Sequence, residues 1–172
     1  HALREHFTHQ RQSGQDALTG IANRQSFQAL LNNRLEAGDT GRLILACLDM
    51  DNFKKVNDGL GQQAGDRLIR QVVSRLRASF GSDATLARVG SDEFAILLEA
   101  PDMLPGWIEL QAARAMEALS EPYWIDGESL LLGCSMGLVQ ERGAAGADLM
   151  LWHANIAMQQ AKTRGSRVGG SP

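Results

Sequence analysis

Two kinds of pattern alternate along the chain: short, wholly apolar runs, and longer stretches in which apolar residues return every three or four positions. Leu43-Ile44-Leu45-Ala46-Cys47-Leu48 is the clearest of the first kind. So short a run with no polar position predicts a strand covered on both faces. Leu86-Ala87-Arg88-Val89 and Phe94-Ala95-Ile96-Leu97-Leu98 flank Gly90-Ser91-Asp92-Glu93, which predicts a β-hairpin. Tyr123 to Val139 holds two extended runs around a turn at Asp126-Gly127, and Arg167-Val168 opens a short final strand. The second kind of pattern predicts helices. Leu3 and Phe7 stand at helical spacing in a polar segment, residues 1–14, and predict the end of a connecting helix. Asn23 is a candidate cap for a helix that places Phe27, Leu30, Leu31 and Leu35 on one face, with Gly38 as its stop. Leu68, Ile69, Val72, Val73, Leu76 and Phe80 form a strong stripe. Ile108, Ala112, Ala115 and Leu119 mark another helix, and Asp148 is a candidate cap for a last one ending near Lys162. The order helix, strand, helix, hairpin, helix, strands, helix predicts an α/β fold, a central mixed β-sheet wrapped by helices.

Composition narrows the function. With 172 residues, 44% hydrophobic and 22% charged, the chain fits one ordinary globular domain. A formal net charge of -3 without a long basic run argues against a nucleic-acid clamp. No stretch approaches the roughly 20 apolar residues of a membrane span, so none is expected within this segment. Cys47 and Cys134 lie in apolar runs and read as buried free thiols, which fits a reducing compartment. The first residue is His1, and the segment reads as a piece of a longer protein.

Candidate chemistry gathers at two turns. Asp49 ends the buried run and Asp51 stands two residues on. A carboxylate on a core strand has a rigid support, which suits a metal ligand, though an aspartate also simply ends strands and caps the next turn. The hairpin turn adds Asp92 and Glu93 side by side. Ordinary hairpin turns favour Asn-Gly or Asp-Gly, and adjacent like charges are costly without a compensating cation or donor. If the hairpin lies beside the strand ending at Asp49, then Asp49, Asp92 and Glu93 converge. An oxygen-only set of that kind suits Mg²⁺, which usually shares its shell with substrate phosphates. A short helix after Asp49 would turn backbone N–H groups toward a phosphate. Lys54 would add positive charge there, or be a plain surface lysine.

These residues carry a family resemblance. Asp16-Ala17-Leu18-Thr19-Gly20-Ile21-Ala22-Asn23-Arg24 matches the D-x-L-T-G-L-x-N-R motif of the GGDEF domains, the diguanylate cyclases of bacterial second-messenger signalling. Asp49-Met50-Asp51-Asn52-Phe53-Lys54-Lys55-Val56-Asn57-Asp58 matches their D-x-D-x-F-K-x-x-N-D motif, with Gly61 and Gly65-Asp66 after it at the family spacing. Arg88-Val89-Gly90-Ser91-Asp92-Glu93-Phe94 aligns with the signature loop, and Ala161-Lys162-Thr163-Arg164-Gly165 resembles the closing A-K-x-x-G motif. The resemblance implies the palm-like sheet of nucleotidyl cyclases over residues 15–168, with a connecting segment at 1–14 and a tail at 169–172. It implies two domains meeting face to face, each holding one GTP, and condensation to cyclic di-GMP with loss of two pyrophosphates. Asp49, Asp92, Glu93 and the Met50 carbonyl would hold Mg²⁺ or Mn²⁺, with Asp49, Asp92 and Glu93 as the catalytic carboxylates. Asn57 and Asp66 would read the guanine. Phe53, Lys54, Gly90, Ser91, Lys162 and Arg167 would surround the rest of the nucleotide. Sensor or phosphodiesterase domains would complete the full-length protein, and the domain would be cytoplasmic, alone or as part of a membrane-anchored protein.

The sequence also departs from the family. Ser91 replaces the second signature glycine, adding a Cβ and a hydroxyl where glycine permits unusual backbone angles. Gln62 stands where His is usual, Gln159 where Tyr is common, and Gly165-Ser166-Arg167-Val168 is one residue shorter than the usual closing segment. Gly81-Ser82-Asp83-Ala84 occupies the place of the R-x-x-D product-inhibition element, with neither the Arg nor the Asp in position. An inhibitory site is therefore expected to be absent. These departures support an alternative of another class: a catalytically silent GTP-binding or docking module that regulates an attached phosphodiesterase.

Overall fold

In the computed structural model, residues 14–38, 43–100, 106–140, 146–164 and 168–170 are described. The elements in chain order are β1 (Ala22–Asn23), α1 (Arg24–Glu36), β2 (Leu43–Met50), α2 (Phe53–Leu60), α3 (Gln62–Phe80), β3 (Thr85–Arg88), β4 (Glu93–Glu99), α4 (Trp107–Ser120), β5 (Tyr123–Ile125), β6 (Glu128–Leu130), β7 (Cys134–Gln140), α5 (Ala147–Thr163) and β8 (Val168–Gly170). Six strands form one mixed sheet in the order β1-β3-β4-β2-β7-β8. β2 runs antiparallel to both neighbours, while β1 and β8 pair in parallel with β3 and β7. All residues of β2 are buried, as its unbroken apolar run predicts.

Each face of the sheet has its own core. Leu43, Leu45 and Cys47 pack with Phe27 and Leu31 of α1 and with Met150, Ala154 and Met158 of α5. Ile44, Ala46, Leu48 and Met50 pack with α2, α3 and α4 through Phe53, Leu68, Ile69, Val72, Leu76, Ala115 and Leu119. Each fully buried Leu, Ile or Phe contributes about 1.5–3 kcal/mol, so these two clusters fix the layer order. α5 lies unusually close to the sheet. A Cβ on Gly137 would fall 2.2 Å from the Ala154 carbonyl oxygen, and one on Gly169 would fall 2.1 Å from that of Ala157. Glycine on the strands and alanine on the helix let the backbones touch, and the end of α5 is thereby set over the end of β2.

Several expectations change in detail. The α1 stripe is narrower than the sequence suggests: Phe27 and Leu31 are fully buried, but Leu30 is 37% exposed. Asp148 does not cap α5. Gly146 is the cap residue, and Asp148 stands in the first turn, where a carboxylate still faces the positive end of the helix. The Tyr123–Val139 region holds three strands rather than two: β5 and β6 form a separate hairpin, and only β7 joins the main sheet. β1 is too short to show a period and was not expected. Leu3, Phe7 and Arg167 lie outside the described residues.

Candidate active site

Side chains alternate across a strand, so Asp49 continues the row of Leu43, Leu45 and Cys47 and points to the α5 face. Glu93 is directly opposite Asp49 in the β2–β4 register, so both carboxylates leave the sheet on one side. Asp92 precedes β4, and its carbonyl accepts the Met50 N–H at 3.1 Å, which ties the hairpin turn to the end of β2. Carboxylate oxygens of Asp49, Asp92 and Glu93 lie within 4.8 Å of one another. Burial and then the nearby Asp49 push the Asp92 carboxyl above the usual carboxylate range. From α5, Lys162 places its Nζ 2.9 Å from Asp49 Oδ2 and 3.6 Å from Asp51 Oδ1. The hydrogen bond to Asp49 raises the Lys162 pKa. Three converging acids beside one half-exposed ammonium form an oxygen-only donor set short of positive charge, which fits a hard divalent cation such as Mg²⁺.

The raised Asp92 pKa has a consequence for stability. The native state holds this proton more tightly than the unfolded chain does. The resulting stability is fully present below the unfolded pKa and is lost as pH rises through the folded one. Asp92→Asn keeps the position neutral at every pH. In chelator-treated protein it is expected to raise the thermal midpoint at pH 7 and to remove this part of the pH dependence. A midpoint below that of the wild type at pH 7 would contradict the repulsion described.

The turn itself is braced from beneath. Arg88 donates from Nε and Nη2 to the Ser91 carbonyl at 3.1 and 2.7 Å. Its Nη1 reaches Asp16 Oδ1 at 3.5 Å, and Asp16 Oδ2 accepts from the N–H and hydroxyl of Thr19 at 3.0 and 2.6 Å. The N-terminal motif thus acts as a strut under the hairpin. Ser91 is exposed, and among the described residues only Asn52 and Asp126 are non-glycines with positive φ, so serine here is unstrained. At Gly90 a Cβ would come within 3.1 Å of Glu93 Oε2, so glycine there leaves the carboxylate its position. Arg88→Met should cost about 1–3 kcal/mol in urea unfolding, because a partly buried charge-assisted pair of bonds is lost. Arg88→Lys should recover little of it, since an ammonium lacks the planar fork. A neutral Arg88→Met would show that the strut bears no strain.

A second group of candidate residues sits on the opposite layer. Asn57 lies in α2, and its Oδ1 is buried without a hydrogen-bond partner among the described residues. Gly65 of α3 makes room for it: a Cβ there would fall 1.8 Å from that oxygen. Asp66 is next in the same turn and is half-buried. The Phe53 side chain is 5% exposed and belongs to the core, so only its backbone is available to a ligand. Lys54 is exposed in the first turn of α2. The sequence reading overlooked Gly65, Arg88 and Asp16 as site-forming residues. Their signal was their place in the matched motifs, whose spacing says nothing of which side chain each one serves. Gly81 is the C-cap of α3, and the Ala84 carbonyl accepts a bond from Arg77 Nη1 at 3.1 Å, which closes the turn at residues 81–84.

The family model described as "Diguanylate cyclase, GGDEF domain" matches residues 13–167. The chain belongs to the GGDEF family. A GGDEF relative, diguanylate cyclase DgcP of Pseudomonas aeruginosa, is 35% identical over 171 residues, covering 95% of this chain and 25% of that protein. Cyclic di-GMP phosphodiesterase PdeR of Escherichia coli is 33% identical over 151 residues, covering 87% of this chain and 22% of that protein. The chain therefore spans about a quarter of the length of these relatives. Among solved structures, a sensory box/GGDEF family protein from Caulobacter crescentus superposes with a TM-score of 0.80 at 32% identity, covering 88% of this chain and 99% of that one. The six-stranded mixed sheet flanked by helices is the GGDEF fold. No helix among the described residues is long and apolar enough to cross a membrane.

Proposed function

We propose that this GGDEF domain is a Mg²⁺-dependent diguanylate cyclase that condenses two GTP into cyclic di-GMP and two pyrophosphates as a face-to-face dimer. The observation that supports this most is the convergence of Asp49, Asp92 and Glu93 at the end of the central strand. These carboxylates, with the Met50 carbonyl, are the residues that would hold Mg²⁺ or Mn²⁺, and the bound cation would neutralise charge on the phosphates. In each transfer the 3′-oxygen of one GTP bonds to the α-phosphorus of the other, the bond to the pyrophosphate oxygen breaks, and the hydroxyl proton leaves. Such a reaction asks the protein for positioning and charge more than for a nucleophile. Glu93 assists at the metal or at the reacting hydroxyl. Lys162 moves between Asp49 and the phosphates, joined by Lys54, Arg167 and the backbone of Phe53, Gly90 and Ser91. Asn57 and Asp66 read the guanine edge.

Residues 81–84 offer no guanidinium to product, so feedback through that element is absent in this reading. The kinship with PdeR favours one other reading, a silent GTP-binding or docking module regulating an attached phosphodiesterase. Sensor or phosphodiesterase domains in the full-length protein suit either one. Turnover with GTP and Mg²⁺, measured as cyclic di-GMP accumulates, separates them. The wild type should be active and not slowed by micromolar product, and Ser91→Gly should alter the rate no more than about twofold, as befits an unstrained surface position. A silent wild type with an active Ser91→Gly variant would favour the regulatory reading and name its cause.

A further inference from the structure

Between α1 and α5, on the sheet face that bears Asp49 and Glu93, lies a cavity of about 310 Å³. Phe27 of α1 and Met158 of α5 line it, belong to the core on this face and are at most 1% exposed, so its floor is apolar. Cys47, a buried free thiol, adds to that wall. Trp152, 58% exposed, offers an indole face at the outer rim.

Three charged groups line this space: Arg24 in the first turn of α1, Asp148 in the first turn of α5, and Glu93. Arg24 has no ion-pair partner among the described residues. Asp148 has a neutral one, the Gln28 amide at 3.3 Å. An apolar pocket of this size with a few convergent polar groups is the form small-molecule sites take. We infer that the cavity binds a small aromatic zwitterion of the aromatic α-amino acid class, with its ring on the apolar floor, its carboxylate on Arg24 and its ammonium on Asp148. A polyanion such as a nucleotide is disfavoured at this rim, because Asp148 opposes it while one guanidinium attracts it. An apolar molecule without charges leaves Arg24 unpaired. A ligand here would lie against Glu93 and Phe94, the first residues of β4, although the binding itself does not depend on cyclase activity.

Calorimetry of the chelator-treated domain tests this with L-phenylalanine as probe. Phenethylamine lacks the carboxylate and 3-phenylpropionate lacks the ammonium. Saturable one-to-one binding of L-phenylalanine is expected, with each analogue weaker by about tenfold or more. Arg24→Gln and Asp148→Asn should each weaken L-phenylalanine to a similar degree. Both side chains are exposed, so circular dichroism should show both variants folded. The inference is overturned if L-phenylalanine does not saturate below about 10 mM, if either analogue binds as well, or if both variants bind like the wild type.

Discussion

Replacing Asp49 or Asp92 by asparagine is expected to lower Mg²⁺-dependent turnover of GTP by about 10³-fold or more. Each change removes one charged oxygen from a set whose oxygens lie within 4.8 Å of one another. An amide is nearly the same size and still accepts a hydrogen bond, so the loss is one of charge. The two variants should part company in stability. Asp92→Asn relieves a repulsion, since burial and Asp49 already disfavour its charge. Asp49→Asn also relieves repulsion but removes the Lys162 partner, a pair with its ammonium 43% exposed and so of small worth. Initial rates across a Mg²⁺ titration check the first claim, and thermal unfolding of the same samples checks the second. Turnover within tenfold of the wild type in either variant would show that these acids do not hold the metal.

Asn57→Ala is expected to abolish GTP binding while leaving stability unchanged or slightly raised. The amide oxygen of Asn57 is buried with no partner among the described residues, and such a group is a cost to the fold. Truncating it removes the cost, and a donor from a bound base is the group that would meet it. A site built on such contacts rejects an analogue that leaves them unpaired by a factor on the order of 10⁴, so ATP should not compete with GTP. Gly65→Ala makes the same point by sterics. Its Cβ would lie 1.8 Å from Asn57 Oδ1, so the amide must swing away, and GTP affinity should fall by about tenfold or more. Calorimetry with GTP and ATP reads all of these. Equal affinity for the two nucleotides, or GTP binding undiminished in Asn57→Ala, would contradict the assignment.

The layers of this fold were legible because its patterns are long. The unbroken run from Leu43 to Leu48 is too short and too apolar for a surface helix and is a doubly covered strand, and the stripe from Leu68 to Phe80 is a packed helix. The two-residue β1 escaped because no period fits within it, and the break between β6 and β7 escaped because β6 is only three residues long. The acids of the site were legible from their positions at strand ends, and the hairpin register then placed Glu93 opposite Asp49. The braces were not. That Arg88 grips the Ser91 carbonyl, or that Gly65 yields its Cβ volume to Asn57, depends on contacts across 3 residues in one case and between two helices in the other. Hydrophobic periodicity is blind to such contacts. The same holds for the cavity between α1 and α5, whose walls come from two helices separated by more than 100 residues.

The central claim is that the three convergent acids make this domain a catalyst. Mass spectrometry of the products formed from GTP by the wild-type chain, with Mg²⁺ and with chelator, tests it most directly. Cyclic di-GMP with two equivalents of pyrophosphate, formed only with the metal, is the predicted result. Unchanged GTP under both conditions, from protein that binds GTP in calorimetry, would contradict it.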